Sequence, residues 1–210
     1  MKESPESLNN YILQTEYAVK HLYLGLHDIW SIYEEALTHW DMSKVTLELT
    51  PELKSELDKY CQLSEQYFFY RFSEATLCGS ILQIAFMAIY HYSTNTVIPD
   101  SCKEIVQIVQ SKNLDVIKKF CIGKEVCGLP LGLIIYSARN QYNHWDVELR
   151  QFNKMIFERL DYENRHNIFA DLAYDLNNPT IVVYAHHILL GLLRWQNYDT
   201  YKRELKDMFK

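Results

Sequence analysis

Glycine and proline are scarce, six and five among 210 residues, which excludes collagen-like repeats and leaves no low-complexity linker along which to divide the chain. Positive charge is short as well. Lys and Arg number 21 against 27 Asp and Glu, a net charge of -6, so any affinity for a polyanion, which rests on neutralising phosphates, must come from a local site. The five cysteines, at positions 61, 78, 102, 121 and 127, are odd in number and include no Cys-x-x-Cys pair. That argues against a disulfide framework or a zinc site and predicts reduced, mostly buried thiols. There is no Gly-rich phosphate loop and no Gly-x-Ser-x-Gly elbow. The N-terminal MKESPESLNN lacks an apolar signal core, and no run approaches the roughly 18 continuous apolar residues of a bilayer span. A cytoplasmic protein without membrane contact is expected.

What the sequence does hold is apolar residues in helical register. At 48% hydrophobic and 14% aromatic, the chain has enough apolar surface for one sizeable core, and a single domain over residues 1–210 is expected. Ile12, Val19, Leu22, Leu26, Ile29, Tyr33 and Leu37 recur mostly at three- and four-residue intervals, predicting a long helix from about Leu8 to Trp40. A break containing Thr46 and Thr50 precedes Pro51, and Thr at the cap with Pro in the first turn starts a second helix. It runs to about Tyr92, with a break expected near Tyr70. Ala75, Cys78, Ile81, Leu82, Ala85 and Ala88 make its second half apolar nearly all round, the pattern of a central bundle helix; Glu74 and Gln83 are the polar exceptions. Asn95 and Pro99 mark a turn, and Asp100 or Ser101 caps a shorter helix to about Gln110. Another helix covers about 113–121. Gly123, Gly128 and Pro130 then mark a connection into Leu131–Tyr136, read as helix because Pro130 suits a first helical position and no partner strand is evident. Further helices are expected at about 146–161, 166–175 and 181–208, the last split near Asn197. The fold class is therefore all-α, a helical bundle with a central apolar helix and a further helix at about 130–145.

That further helix carries Arg139-Asn140-Gln141-Tyr142-Asn143-His144. Four-residue spacing puts Asn140 over His144 and Arg139 over Asn143. Arg139 and His144, five apart, diverge by about 140° around the axis, so a lone helix does not gather them; two such helices about a two-fold axis would. An Arg, a polar residue, three more and a His near the end of an apolar helix in an all-α chain resembles the HEPN (higher eukaryotes and prokaryotes nucleotide-binding) superfamily. In that family four to six residues separate the Arg and the His, and here four do. The resemblance implies metal-independent cleavage of RNA at a composite homodimer site, without a cofactor, in a toxin or phage-defence setting. Residue chemistry agrees. An imidazole titrating near neutrality moves the proton at the 2′-hydroxyl or the leaving 5′-oxygen, the role for His144. A guanidinium holds the phosphate as charge builds on it, the role for Arg139. Asn140 would orient His144 or bind a phosphate oxygen. Asn143, Lys118 and Lys119 are expected substrate contacts, within a basic stretch that includes Lys112 and Lys124; a second basic run is Lys202, Arg203, Lys206 and Lys210. In toxins of this family controlled by nucleotidyltransferase antitoxins, a Tyr stands two residues after the His. Here Asp146 does, so control by that route is not expected, while a neutralising or regulatory protein partner of another kind is.

A purely structural reading makes Arg139 the ion-pair partner of Glu74, whose place in an apolar helix demands a counter-group. A second functional reading is a non-catalytic helical module binding a nucleotide or a protein in the same cleft, and a third an interaction protein whose partner completes the site. Other candidates weigh less. His186 and His187 are adjacent and point about 100° apart, a poor metal pair expected to put one ring in the core and one at the surface. His21 and His27 are six apart; His39 and His91 are isolated. Glu163 and His166 form one Glu-x-x-His where a two-metal bundle site needs two, so no metal site is expected. Tyr67, Phe68, Phe69, Tyr70 and Phe72 can stack bases, but such a cluster at a helix crossing is expected in the core.

Overall fold

A computed structural model describes residues 5–40, 50–144, 148, 150–165 and 185–210. Two long helices, α1 (Pro5–His39) and α2 (Pro51–Tyr92), form an antiparallel hairpin. Their side chains pair in order along it: the Tyr11 hydroxyl donates to the Ile84 carbonyl at 2.9 Å, Trp30 meets Glu74, Tyr33 lies on Tyr67 and Trp40 on Tyr60. Thr50 caps α2, its hydroxyl accepting the Leu53 amide at 3.2 Å, with Pro51 in the first turn. This is the capping chemistry that satisfies an orphan donor while Pro sacrifices none. The helix then continues through Tyr70 without the expected break.

The second half of α2 is the centre of the core. Cys78, Ile81, Leu82, Ala85, Ala88 and Ile89 are fully buried. An 18-residue window of α2 is apolar enough to cross a bilayer, with mean hydropathy 1.5, but 56% of it is buried within the protein. That burial is the pattern of a core helix. Toward its first half α2 packs on α1, and two expectations fail there. Tyr33 and Leu37 end the predicted stripe of α1 but are 43% and 44% exposed, and Phe68, Phe69 and Phe72 are 62–72% exposed. Consecutive residues fan out by about 100° each, so a single neighbouring helix cannot cover an aromatic run that goes right round α2. Of the run, Tyr67 is the residue half-buried, against Tyr33.

After α2, a 3₁₀ turn (Asp100–Cys102) leads into the short α3 (Lys103–Gln107), then α4 (Ser111–Phe120). The connection holds a strand pair not anticipated from the sequence, β1 (Glu125–Val126) with β2 (Leu129–Pro130), antiparallel across Cys127 and Gly128, both at positive φ. Two left-handed residues match the twist of a tight hairpin. It delivers α5 (Leu131–Asn143), with Pro130 as the cap preceding the helix rather than its first residue. The first amides of α5 find backbone acceptors: Leu131 donates to Lys124 O at 3.0 Å and Gly132 to Ile122 O at 3.1 Å. Helix α6 (Gln151–Arg165) begins and ends later than the expected 146–161. The helix expected at 166–175 lies outside the described residues. His187–Leu192 is π-helical and α7 spans Tyr198–Asp207, with Asn197 capping it through the Thr200 amide at 2.9 Å. The expected split near Asn197 is present. The protein is all-α apart from the two-residue strands. None of the five cysteines is in a disulfide; Cys78, Cys102 and Cys121 are buried, Cys127 is half-buried and Cys61 exposed.

Gly132 is where α5 approaches α4 most closely, since a Cβ there would overlap the Phe120 carbonyl oxygen, whereas at Gly25 it would meet only the Leu77 side chain at 3.2 Å. A backbone obstacle cannot rotate away. Thermal unfolding should show Gly132→Ala destabilised by roughly 1–3 kcal/mol, the usual range for overpacking, and Gly25→Ala by less.

Candidate functional site

The last turns of α5, the α3–α4 connection and the start of α6 enclose a cleft of about 700 Å³. Tyr136, Arg139, Asn140 and His144 line it from α5. Ile108, Val109, Gln110, Asn113 and Ile117 form the facing wall, and Glu148, Arg150, Gln151, Phe152 and Asn153 close the third side. The angular argument against one helix gathering Arg139 and His144 is met by the helix ending. His144 is the residue beyond the last turn, with φ -133 and ψ 35. Its ring no longer follows the 100° step, and it reaches the same cleft as Arg139.

Arg139 is held on all sides by neutral groups. Its Nε donates to Gln83 Oε1 at 2.6 Å and its Nη1 to Asn140 Oδ1 at 3.0 Å. With the Asn143 amide turned so that its oxygen faces the guanidinium, Asn143 accepts from Nε at 2.9 Å and Nη2 at 3.2 Å. The guanidinium carbon lies 4.6 Å from the centre of the Phe86 ring, a cation–π contact. Burial lowers its pKa, with Tyr136 acting in the opposite sense; a guanidinium stays charged regardless. Among the described residues no carboxylate pairs with Arg139. The result is a half-buried cation whose donors are oriented and which no described carboxylate pairs with, facing a cleft that Glu148 also lines.

The remaining candidates divide. Asn143 joins Arg139 as its spacing predicted, whereas the side chain of Asn140, expected over His144, is engaged by the adjacent Arg139 instead. The His144 ring is exposed and makes no hydrogen bond among the described residues. Lys118 and Lys119 do not line the cleft. Lys118 pairs with Asp115 at 2.9 Å, and Lys119 donates to the Tyr90 carbonyl at 2.8 Å, where α2 ends. Lys124 pairs with Glu204 at 2.6 Å. In the C-terminal run Arg203 and Lys210 pair with their neighbours Glu204 and Asp207, and Lys202 sits over the Tyr198 ring. The Lys112 and Glu163 side chains, and Asp146 and His166, lie outside the described residues. Among the described residues no three His, Cys, Asp or Glu side chains gather as a metal-binding group.

Glu74 is not the partner of Arg139. It is buried on another face of α2, where Oε1 accepts from Trp30 Nε1 at 2.6 Å, Oε2 from the Tyr67 hydroxyl at 3.4 Å, and His186 Nδ1 lies 3.1 Å away. That last contact has ion-pair distance but does not meet hydrogen-bond geometry. His186 and His187 are both half-buried, so the expected division into one core and one surface ring is not met. Gln83 and Phe86, the groups that hold Arg139, were not marked as site residues by sequence; the signal was Gln83, a polar residue in the apolar half of α2.

No family model, no curated protein and no solved structure matches the chain. The site therefore stands on its own geometry.

Burial raises the Glu74 pKa, but His186, Trp30 and Tyr67 outweigh it and hold the carboxyl below its ordinary value of 4.5. A depressed carboxylate contributes stability above the unfolded pKa and loses it as pH falls through the folded one. In thermal unfolding at pH 7, Glu74→Gln should be less stable than the native chain by roughly 1–3 kcal/mol, with the gap closing as pH falls below the ordinary glutamate range. A gap independent of pH would contradict the assignment.

Proposed function

We propose that the protein is a metal-independent endoribonuclease. The observation that carries this reading is Arg139: an oriented guanidinium, neutralised by no described carboxylate, in one cleft with an exposed imidazole. Such a cation is a receptor for an anion that brings its own charge, and a phosphodiester supplies two non-bridging oxygens at the spacing of the guanidinium fork. His144 then takes the proton of the RNA 2′-hydroxyl as that oxygen attacks the adjacent phosphorus, and the 5′-oxygen leaves with a proton. Arg139 stabilises the charge that accumulates on the phosphoryl oxygens. The nucleophile belongs to the substrate, so the product ends are a 2′,3′-cyclic phosphate and a 5′-hydroxyl, and DNA resists.

One transfer needs a base and the other an acid, and each cleft holds one described imidazole. A homodimer with two clefts facing supplies both, and is part of the proposal. A cytoplasmic setting, a role in toxicity or phage defence, and a regulatory protein partner accompany it through the HEPN resemblance. The engagement of Asn140 by Arg139, which leaves the His144 ring unoriented, favours a second reading, a nucleotide- or protein-binding module without turnover.

Incubation of the full chain with RNA and a chelator separates them. Cleavage should persist, drop by about 10²–10⁴ in His144→Ala and by about 10²–10³ in Arg139→Ala, with circular dichroism unchanged. Sizing at working concentration should give a dimer. Cleavage undiminished in both folded variants contradicts the enzyme reading, and tight RNA binding without turnover supports the module.

A further inference from the structure

The two ends of the cleft differ in chemistry. At the Arg139 end the amide oxygens are engaged: those of Gln83, Asn140 and Asn143 accept from the guanidinium, and that of Asn153, further round, accepts from the buried Ser137 hydroxyl at 3.1 Å. Away from it Ile108, Val109, Ile117 and Phe152 supply apolar and aromatic lining, which Tyr136, whose ring also lies 5.8 Å from that of Phe86, joins to the Arg139 end. The rings of Tyr136 and Phe152 meet edge to face at 5.8 Å. Ile108 is 43% exposed there although it belongs to the wall of a concave surface. The amides beside it, Gln110 and Asn113 on one side and Gln151 on the other, make no side-chain hydrogen bond among the described residues. Apolar and aromatic surface beside uncommitted polar groups is a pairing that small-ligand sites use, and the whole cleft, about 700 Å³, falls within their usual range of roughly 300–1,000 Å³.

We propose that this end of the cleft is a base-binding subsite: the nucleobase beside the phosphate held by Arg139 packs on Phe152 and the Ile108–Val109 wall, and Asn113 and Gln110 read its edge. The proposal rests on the reading of Arg139 as a phosphate receptor. A carboxamide donates and accepts at once, which matches the mixed donor and acceptor edges of bases, and aromatic side chains are the usual platform for an unstacked base. A phosphorylated tyrosine would satisfy the cation and the apolar wall but offers no polar edge to the free amides. Base reading is therefore a specificity function of the α3–α4 connection, separate from the chemistry at α5.

The test is calorimetric titration of the full chain with four nucleoside 3′-monophosphates, ribose 5-phosphate and phenyl phosphate, all phosphate monoesters. At least one nucleotide should bind about tenfold or more tightly than ribose 5-phosphate and phenyl phosphate. Asn113→Ala, on the cleft surface, should compress the spread among the four bases. Phe152→Leu, which keeps apolar volume, should reduce the advantage of nucleotide over ribose phosphate to less than about threefold, and Arg139→Gln should weaken all six ligands alike. Equal binding of phenyl phosphate or ribose 5-phosphate by the native chain overturns the subsite, as does no nucleotide binding, or an advantage and base spread unchanged in both folded variants. Base-selective binding with intact RNA leaves the subsite standing and removes the cleavage reading. Cleavage of RNA with phenyl phosphate competing as well as nucleotides does the reverse.

Discussion

A half-buried guanidinium that no described carboxylate pairs with is the feature on which the candidate site depends. Desolvating a charge is costly unless its donors are satisfied, and among the described residues Arg139 is held by amides and the face of Phe86. Amide oxygens orient a cation without cancelling it. A carboxylate in the place of Gln83 would make a stronger pair and abolish the site's appetite for anions. Gln83 and Phe86 lie on α2, and Arg139, Asn140 and Asn143 on α5, so the clamp also ties the motif-bearing helix to the centre of the core.

The central helix carries a second polar island of the opposite kind. Glu74 and Gln83 are nine positions apart, about 180° around the helix, and face different neighbours. The Glu74 carboxylate accepts from Trp30 and Tyr67 and lies beside His186, joining α1, α2 and the start of the π-helical segment. Its contribution is structural. Glu74 is closed in by α1 and the segment at His186, whereas Arg139 faces a cleft, and that difference makes the Arg139 side the one open to a ligand.

Periodicity and capping made much of the fold legible. The α1 stripe as far as Ile29, the Thr50-Pro51 start, the Asn197 break and the Arg139–Asn143 relation in the motif are local consequences of 3.6 residues per turn and of orphan amides. What failed was non-local. Gln83 meets Arg139 from 56 residues away, and Trp30 meets Glu74 from 44; nothing in a single chain's local pattern pairs them. Apolarity alone led Phe68, Phe69 and Phe72 to be placed in the core, whereas burial depends on how many elements pack around that part of α2. The cleft position of His144 was missed because the angular step applies only inside a helix, and its end is set by the residue's own backbone dihedrals. The contact of His186 with Glu74 joins residues far apart in the chain and was invisible for the same reason.

The central claim is that the charge on Arg139 is available to a phosphodiester. A short 2′-deoxy oligonucleotide binds without presenting the attacking hydroxyl, so its affinity reports the phosphate contact free of turnover. Measured across a salt series, binding by Arg139→Gln should be at least about tenfold weaker than by the native chain, with the dependence of log K on log salt flatter by about one unit, as loss of one phosphate contact requires. Equal affinity and equal salt slope in the native and folded variant proteins would contradict it.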